Sequence, residues 1–186
     1  MSSTQTAAPV AANYTIDPAH SGAHFKVRHM MISNVRGEFR KVSGTVIFDP
    51  ISPGASSVTA EIDVNSINTR EPDRDKHLRS ADFFDAEKYP TIRFQSKKVE
   101  PEGAGTYKVT GDLTIRGVTR EVVLQVGGPT EEAKDPWGYM RRGAEATAKI
   151  NRKDFGLNWN QVLEAGGVLV GDQIEISLEA ELIKAA

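Results

Sequence analysis

The chain has 186 residues, 39% of them hydrophobic and 26% charged, which is the size and balance of one globular domain with a sizeable core. Its formal net charge of -2, with both signs spread along the chain, excludes broad electrostatic attraction for nucleic acid. The absence of cysteine excludes disulfide frameworks, thiolate metal sites and thiol nucleophiles.

The opening "MSSTQTAAPVAANYTID" lacks the basic and continuously apolar regions of a secretory leader, so the chain is expected to remain cytoplasmic. Residues 1-13 are expected to form a disordered tail and residues 14-186 the folded domain. No window approaches the roughly 18 consecutive apolar residues of a transmembrane helix.

From Tyr14 onward the dominant signal has a period of two, broken by Gly, Pro, Asn and Asp, as in half-buried antiparallel strands. In "AHFKVRHMM" the alternation puts Phe25, Val27, His29 and Met31 on the inner face, and His24, Lys26 and Arg28 outside. "SGTVIFD" contributes Phe48. "SSVTAEIDVNSI" is the cleanest case, with Val58, Ala60, Ile62 and Val64 on one face and Thr59, Glu61 and Asp63 on the other. Residues 73-89 break the pattern with helix-compatible composition, which Pro90 ends. Alternation resumes in "TIRFQSKKV", with Phe94 inward, and in "YKVTGDLTIRG", with Gly111 and Leu113 inward. Arg116 and Gly117 turn the chain into "VTREVVLQVG". After the irregular "GGPTEEAKDPWGYMRRG", the run "GAEATAKI" sends Ala144, Ala146 and Ala148 inward. "INRKDFGLNWN" reads as a turn and an extended piece bearing Phe155, Leu157 and Trp159, and "DQIEISLEAEL" closes the series with Ile176 and Ala180.

Together these runs predict an all-β domain of eight principal antiparallel strands forming a barrel. Such a barrel either fills its interior with side chains or holds one ligand. The small inward residues Ala60, Ser96, Gly111, Ala144, Ala146, Ala148 and Ala180 fit a channel, or equally sit opposite bulky neighbours in a filled core.

Reactive motifs are sparse. His77 with Asp82 could act as base and orienter, with His29 a second candidate for the base, yet no GxSxG, HExxH or phosphate-loop pattern accompanies them. A salt-bridged helix face accounts for the same residues. Arg141 and Arg142, following Trp137 and Tyr139, have the chemistry to grip a phosphate or carbonyl head, or form an exposed loop.

The blocks "YTIDPAHSGAHFKVRHMMISNVRGEFRKVSGTVIFD", "DKHLRSADFFDAEKYPTIRFQS", "VTGDLTIRGVTREVVLQV" and "INRKDFGLN" closely resemble, in order, the signature blocks of the YceI-like family. The resemblance implies a lipocalin-like barrel whose channel holds an isoprenoid lipid, such as a polyprenyl phosphate or an isoprenoid quinone. It implies that the segment around Phe83 and Phe84 covers the barrel without catalytic machinery, and it makes His29 the favoured polar contact. Many members carry a secretory leader and work in the periplasm.

The candidate ligand contacts are therefore Phe25, Val27, His29, Met31, Phe48, Ile62, Leu78, Phe83, Phe84, Phe94, Leu113, Arg141, Ala144, Ala146, Ala148, Phe155, Trp159 and Ile176. No metal, cofactor, nucleic-acid partner or catalytic residue is expected beside the lipid. The alternative is an enzyme acting on a lipid head group through His77 or His29 with Asp82. The oligomeric state is left open, a homodimer included.

Overall fold

The computed structural model describes residues 11–186, so the tail expectation for residues 1–10 lies outside the described residues. The chain forms strands β1 (Ala12–Ile16), β2 (Gly22–His29), β3 (Ser33–Phe39), β4 (Val42–Phe48), β5 (Ser57–Asp63) and β6 (Ile67–Asn68). Helix α1 (Pro72–Arg79) follows, and then β7 (Thr91–Gly103), β8 (Thr106–Ile115), β9 (Val118–Gly127), β10 (Ala133–Lys134), β11 (Met140–Asn151) and β12 (Val170–Lys184). All strands belong to one antiparallel sheet.

The sheet closes because β11 and β12 pair along a continuous register from Arg141↔Ile183 to Asn151↔Gln173. The ring β11-β9-β8-β7-β5-β4-β1-β12 is the expected eight-stranded barrel. Strand β12 is long enough to serve two partners on its other edge. Its C-terminal end pairs with β1 (Tyr14↔Lys184), and its earlier part pairs with β2 (Gly22↔Glu179 to Val170↔His29). Strands β2, β3 and β6 thus branch from the ring as a second wall leading into α1.

Several boundaries differ from the sequence reading. Residues 12 and 13 belong to β1 rather than to a tail, held by the pairs Ala12↔Phe48 and Asn13↔Ile47. The alternation of β2 stops at His29, where the chain turns back into β3, a strand the pattern had not separated. Met31 is consequently a turn residue at φ 62°, 55% exposed, and not an inward one. The helical excursion is shorter than residues 73-89. Pro72 opens it at the first turn, where no N–H is needed, and the Glu71 carboxylate accepts from the amides of Asp73 and Arg74. It ends at Ser80, whose hydroxyl donates to the His77 carbonyl, the local competition that disfavours helix continuation.

Two glycines show how the walls accommodate aromatic rings. A Cβ on Gly111 would lie 2.5 Å from the Phe94 ring, and one on Gly37 would lie 2.3 Å from the Phe25 ring. At these positions a small residue does sit opposite a bulky neighbour. Arg152, 4% exposed, closes the β11–β12 end by donating to the carbonyls of Gly171, Leu157 and Trp159 at 2.9, 2.6 and 2.8 Å. The irregular segment after β11 is therefore organised around a buried guanidinium, with a 3-10 turn over Arg152–Phe155.

Arg141 has the opposite parity to Ala144 and Ala146 and serves as a buttress. Its Nη1 lies 2.7 Å from Asp17 and 2.6 Å from Glu181, and its Nε lies 2.6 Å from Asp135. This ties the loop before β11 to the β1 and β12 edges. His20 and Arg141 together hold the Asp17 carboxyl down at about 2, while Asp17 raises the His20 pKa above its ordinary value.

Two outcomes follow from these contacts. Gly111→Val should drive a side chain into Phe94 and the Gln95 carbonyl, costing about 1–3 kcal/mol in denaturant unfolding. For Asp17, the folded pKa is below the unfolded value near 3.8, so its stabilisation is complete above about pH 4 and is lost as pH falls towards about 2. His20 has the reverse sign, contributing below its ordinary pKa and losing that contribution as pH rises through the raised one. Asp17→Asn should lower the melting temperature at neutral pH and flatten its decline between pH 4 and 2 relative to the unaltered protein.

Candidate ligand cavity and its cover

The barrel surrounds a partly open cavity of about 300 Å³, at the lower end of the range usual for small-molecule sites. Its wall is the inner face of the pleat. Strand β2 supplies Phe25 and Val27, β4 supplies Phe48, β5 supplies Val58, Ala60 and Ile62, and β7 supplies Ile92 and Phe94. A bulge at Lys97 then shifts the parity of β7, so that Val99 reaches the wall while Ser96 uses its hydroxyl to accept from the Val58 amide at 2.8 Å. Strands β8 and β9 add Val109, Leu113, Val122 and Leu124, and β11 and β12 add Ala144, Ala146, Ile150, Ile174, Ile176 and Leu178. Ala146 faces Leu178 and Ala144 faces Ala180 across the closing pair, so the wall is thinnest in side-chain bulk along this seam.

The end nearest Asn151 is covered. Leu78 from α1, Phe83 and Phe84 from the turns that follow, Phe155 from the 3-10 turn and Leu157 just after it all reach the cavity. The cover is fixed from several sides. Phe84 meets Phe39 edge-on at 5.6 Å, and Arg116 donates to the carbonyls of Ala81 and Gly156 at 2.8 and 3.2 Å. The His77 ring stands edge-on to Phe83 at 5.1 Å and to Trp159 at 4.8 Å, and its Nε2 lies 2.8 Å from Asp82. Asp75 accepts from the Thr69 amide and hydroxyl at 2.8 and 2.6 Å, anchoring α1 to the chain leaving β6.

Of the candidate contacts, Phe25, Val27, Phe48, Ile62, Leu78, Phe83, Phe84, Phe94, Leu113, Ala144, Ala146, Phe155 and Ile176 come together around the cavity. The remaining ones lie elsewhere. His29 is the last residue of β2, half-buried between Ser33 and Val170 and outside the cavity wall. Met31 is on the exposed turn, and Arg141 is in its ion-pair buttress. Ala148 has the right parity but lies where β9 has left β11, since their pairing covers only Glu145 to Thr147, and it borders a trough on the outer surface. Trp159 packs on His77 and Phe83 and is not part of the wall.

The opposite end carries a polar cluster that the candidate set omitted. Arg142 lies 5.6 Å over the Phe48 ring, and it donates from Nε to the Tyr14 hydroxyl at 2.9 Å and from Nη1 to the Thr130 carbonyl at 2.6 Å. Tyr14, 1% exposed, donates in turn to Glu132 at 2.5 Å, and Lys184 reaches the same carboxylate at 2.9 Å. Burial and the Glu132 contact raise the Tyr14 pKa, so its hydroxyl stays a proton donor at neutral pH. Parity with Ala144 and Ala146 was the available signal for Arg142.

Comparison with known proteins places this architecture. The YceI-like domain matches residues 14–182. A UPF0312 protein of Vibrio cholerae is 41% identical over 152 residues, covering 79% of this chain and 78% of its own. The crystal structure of Burkholderia cenocepacia BcnA aligns with a TM-score of 0.76 at 26% identity, covering 89% of this chain and 98% of that one. A polyisoprenoid binding domain from Saccharophagus degradans, implicated in plant cell wall breakdown, shares the fold at a TM-score of 0.67 and 16% identity, covering 92% and 98% of the two chains. With the family match spanning the barrel from β1 to β12, this chain belongs to the YceI-like family.

Proposed function

We propose that the protein binds and carries a long isoprenoid lipid, a polyprenyl phosphate or an isoprenoid quinone, with its tail in the barrel cavity, and performs no chemistry on it. The observation that carries this reading is the apolar cavity, whose wall joins every long strand of the ring to the cover. Sharing a fold with a polyisoprenoid binding domain is consistent with it. The energetics are sufficient. Removing ten methylene equivalents from water contributes about 8 kcal/mol at roughly 0.8 kcal/mol each, before ordering costs. Polar contacts then need supply only orientation.

The enzyme alternative has one geometric point in its favour, the His77–Asp82 pair. Its surroundings favour a structural role. The nearby Ser80 hydroxyl is committed to the His77 carbonyl and accepts from the Asp82 amide, and the imidazole is wedged between Phe83 and Trp159. The reading also needs no metal. Asp17, His20 and Glu181 do offer one ligand atom each within 4.8 Å of one another, but the Arg141 guanidinium bonds both carboxylates.

Three measurements test this function. Ala146→Phe, which projects a ring into the cavity, should reduce or shorten the lipid extractable from folded protein, whereas Thr147→Phe, on the exposed face, should leave it unchanged. Equal lipid content in both variants would contradict tail binding at this seam. His77→Ala should accelerate lipid release by loosening the cover, with the lipid recovered chemically intact. Turnover of a prenyl phosphate that disappears in this variant would favour the enzyme instead. Exhaustive chelation should leave lipid content and melting temperature unchanged.

A further inference from the structure

The turn between β2 and β3 exposes three consecutive large apolar side chains, with Met30 at 40%, Met31 at 55% and Ile32 at 77%. Its backbone is as unusual as its composition. Met30 and Met31 both lie in the left-handed region, at φ 50° and 62°, where a hairpin turn of this type ordinarily employs Asn and Gly. Surrounding bonds hold it there. The Ile32 amide donates to the His29 carbonyl at 3.1 Å, and Arg28 Nη2 donates to the Met31 carbonyl at 2.7 Å.

A second tip stands beside it. Val162 and Val168 bridge a small loop that turns at Gly166 and Gly167, and Val162 is 79% exposed. The Met30 amide donates to the Leu169 carbonyl at 2.8 Å, joining the two tips. Both descend directly into the cavity wall, the first through Val27 and the second through Val170.

We infer that these paired tips are a lipid-bilayer contact at which the cargo enters and leaves the barrel, an inference that rests on the lipid-carrying reading. An isoprenoid tail that must leave water has a membrane as its reservoir. The first tip ends in flexible Met and Ile side chains, and the second adds exposed Val162 beside a turn that carries Glu164, so Met30, Met31, Ile32 and Val162 are the side chains that suit insertion of roughly 5–10 Å into the boundary between head groups and acyl chains. Arg28, exposed at the base of the first tip, puts a cation at head-group depth. An exposed aromatic tip, Trp137 and Tyr139, lies at the opposite end, where the Arg142–Tyr14–Glu132 cluster stands against Phe48.

The test is flotation of lipid-free full-length protein with phosphatidylcholine vesicles, alongside loading with a polyprenol presented in detergent micelles and a melting temperature for each variant. Met31→Ser with Ile32→Ser, and separately Val162→Ser, should each lower vesicle partitioning by about ten-fold and slow polyprenol uptake from vesicles, as removal of inserted apolar surface requires. Loading from micelles should be preserved, and Trp137→Ser should behave as the unaltered protein. Unchanged partitioning in both tip variants, or loss only in Trp137→Ser, would overturn the assignment. Protein that loads from micelles yet floats with no vesicles also overturns it, leaves carriage intact and points to a protein receptor for the tips. Failure to load from micelles at all would instead strike at the carrying function itself.

Discussion

Closure of the sheet between β11 and β12 is the constraint on which the rest of the molecule depends. A sheet joined into a ring resists slippage of its strands, so the pleat sends alternate residues to one shared interior. The register from Arg141↔Ile183 to Asn151↔Gln173 fixes the parity of both strands at once. Along this seam the inward positions are Ala144, Ala146 and Ala180 beside Ile176 and Leu178. Aromatic rings elsewhere are accommodated by glycine, at Gly37 under Phe25 and at Gly111 under Phe94, whereas the alanines of this seam face the cavity. The cavity is thus a consequence of which strands carry small residues.

The two ends of the barrel solve different problems. At one end, Arg142, Tyr14, Glu132 and Lys184 satisfy one another in a network that stands against Phe48, and Arg141 buttresses it from outside by linking β1, β12 and the preceding loop. At the other end the cover is apolar on its inner side, through Leu78, Phe83 and Phe84, and is held by aromatic edges, Arg116 and the buried Arg152. The polar end is built from partly buried charge pairs. The covered end depends on contacts between separate short segments, which open at lower free-energy cost than a strand pair inside the ring.

Much of this was legible in the sequence wherever a strand was long and regular. The parity of β5, β12 and most of β11 follows from the alternation of Val58, Ala60 and Ile62, of Ile174, Ile176 and Leu178, and of Ala144 and Ala146. It failed where backbone geometry breaks the period. The bulge at Lys97 moves Val99 inward, the turn at Met30 and Met31 ends β2 two residues before its hydrophobic run does, and the departure of β9 from β11 takes Ala148 out of the wall. None of these breaks has a Gly or Pro to announce it. The family resemblance was needed to choose a cavity over a filled core, because volume is a property of all the strands together. The polar groups were least legible: His29 lies outside the wall, and the roles of Arg141 and Arg142 depend on one residue of parity.

The central claim is that the space bounded by the alanine seam and the Phe83–Phe84 cover holds an intact apolar chain. Native mass spectrometry of protein purified without detergent, followed by solvent extraction and lipid identification, measures this most directly. The account predicts about one isoprenoid lipid per chain, chemically unaltered. A folded barrel that yields no apolar adduct, even after incubation with polyprenol or quinone, would contradict it.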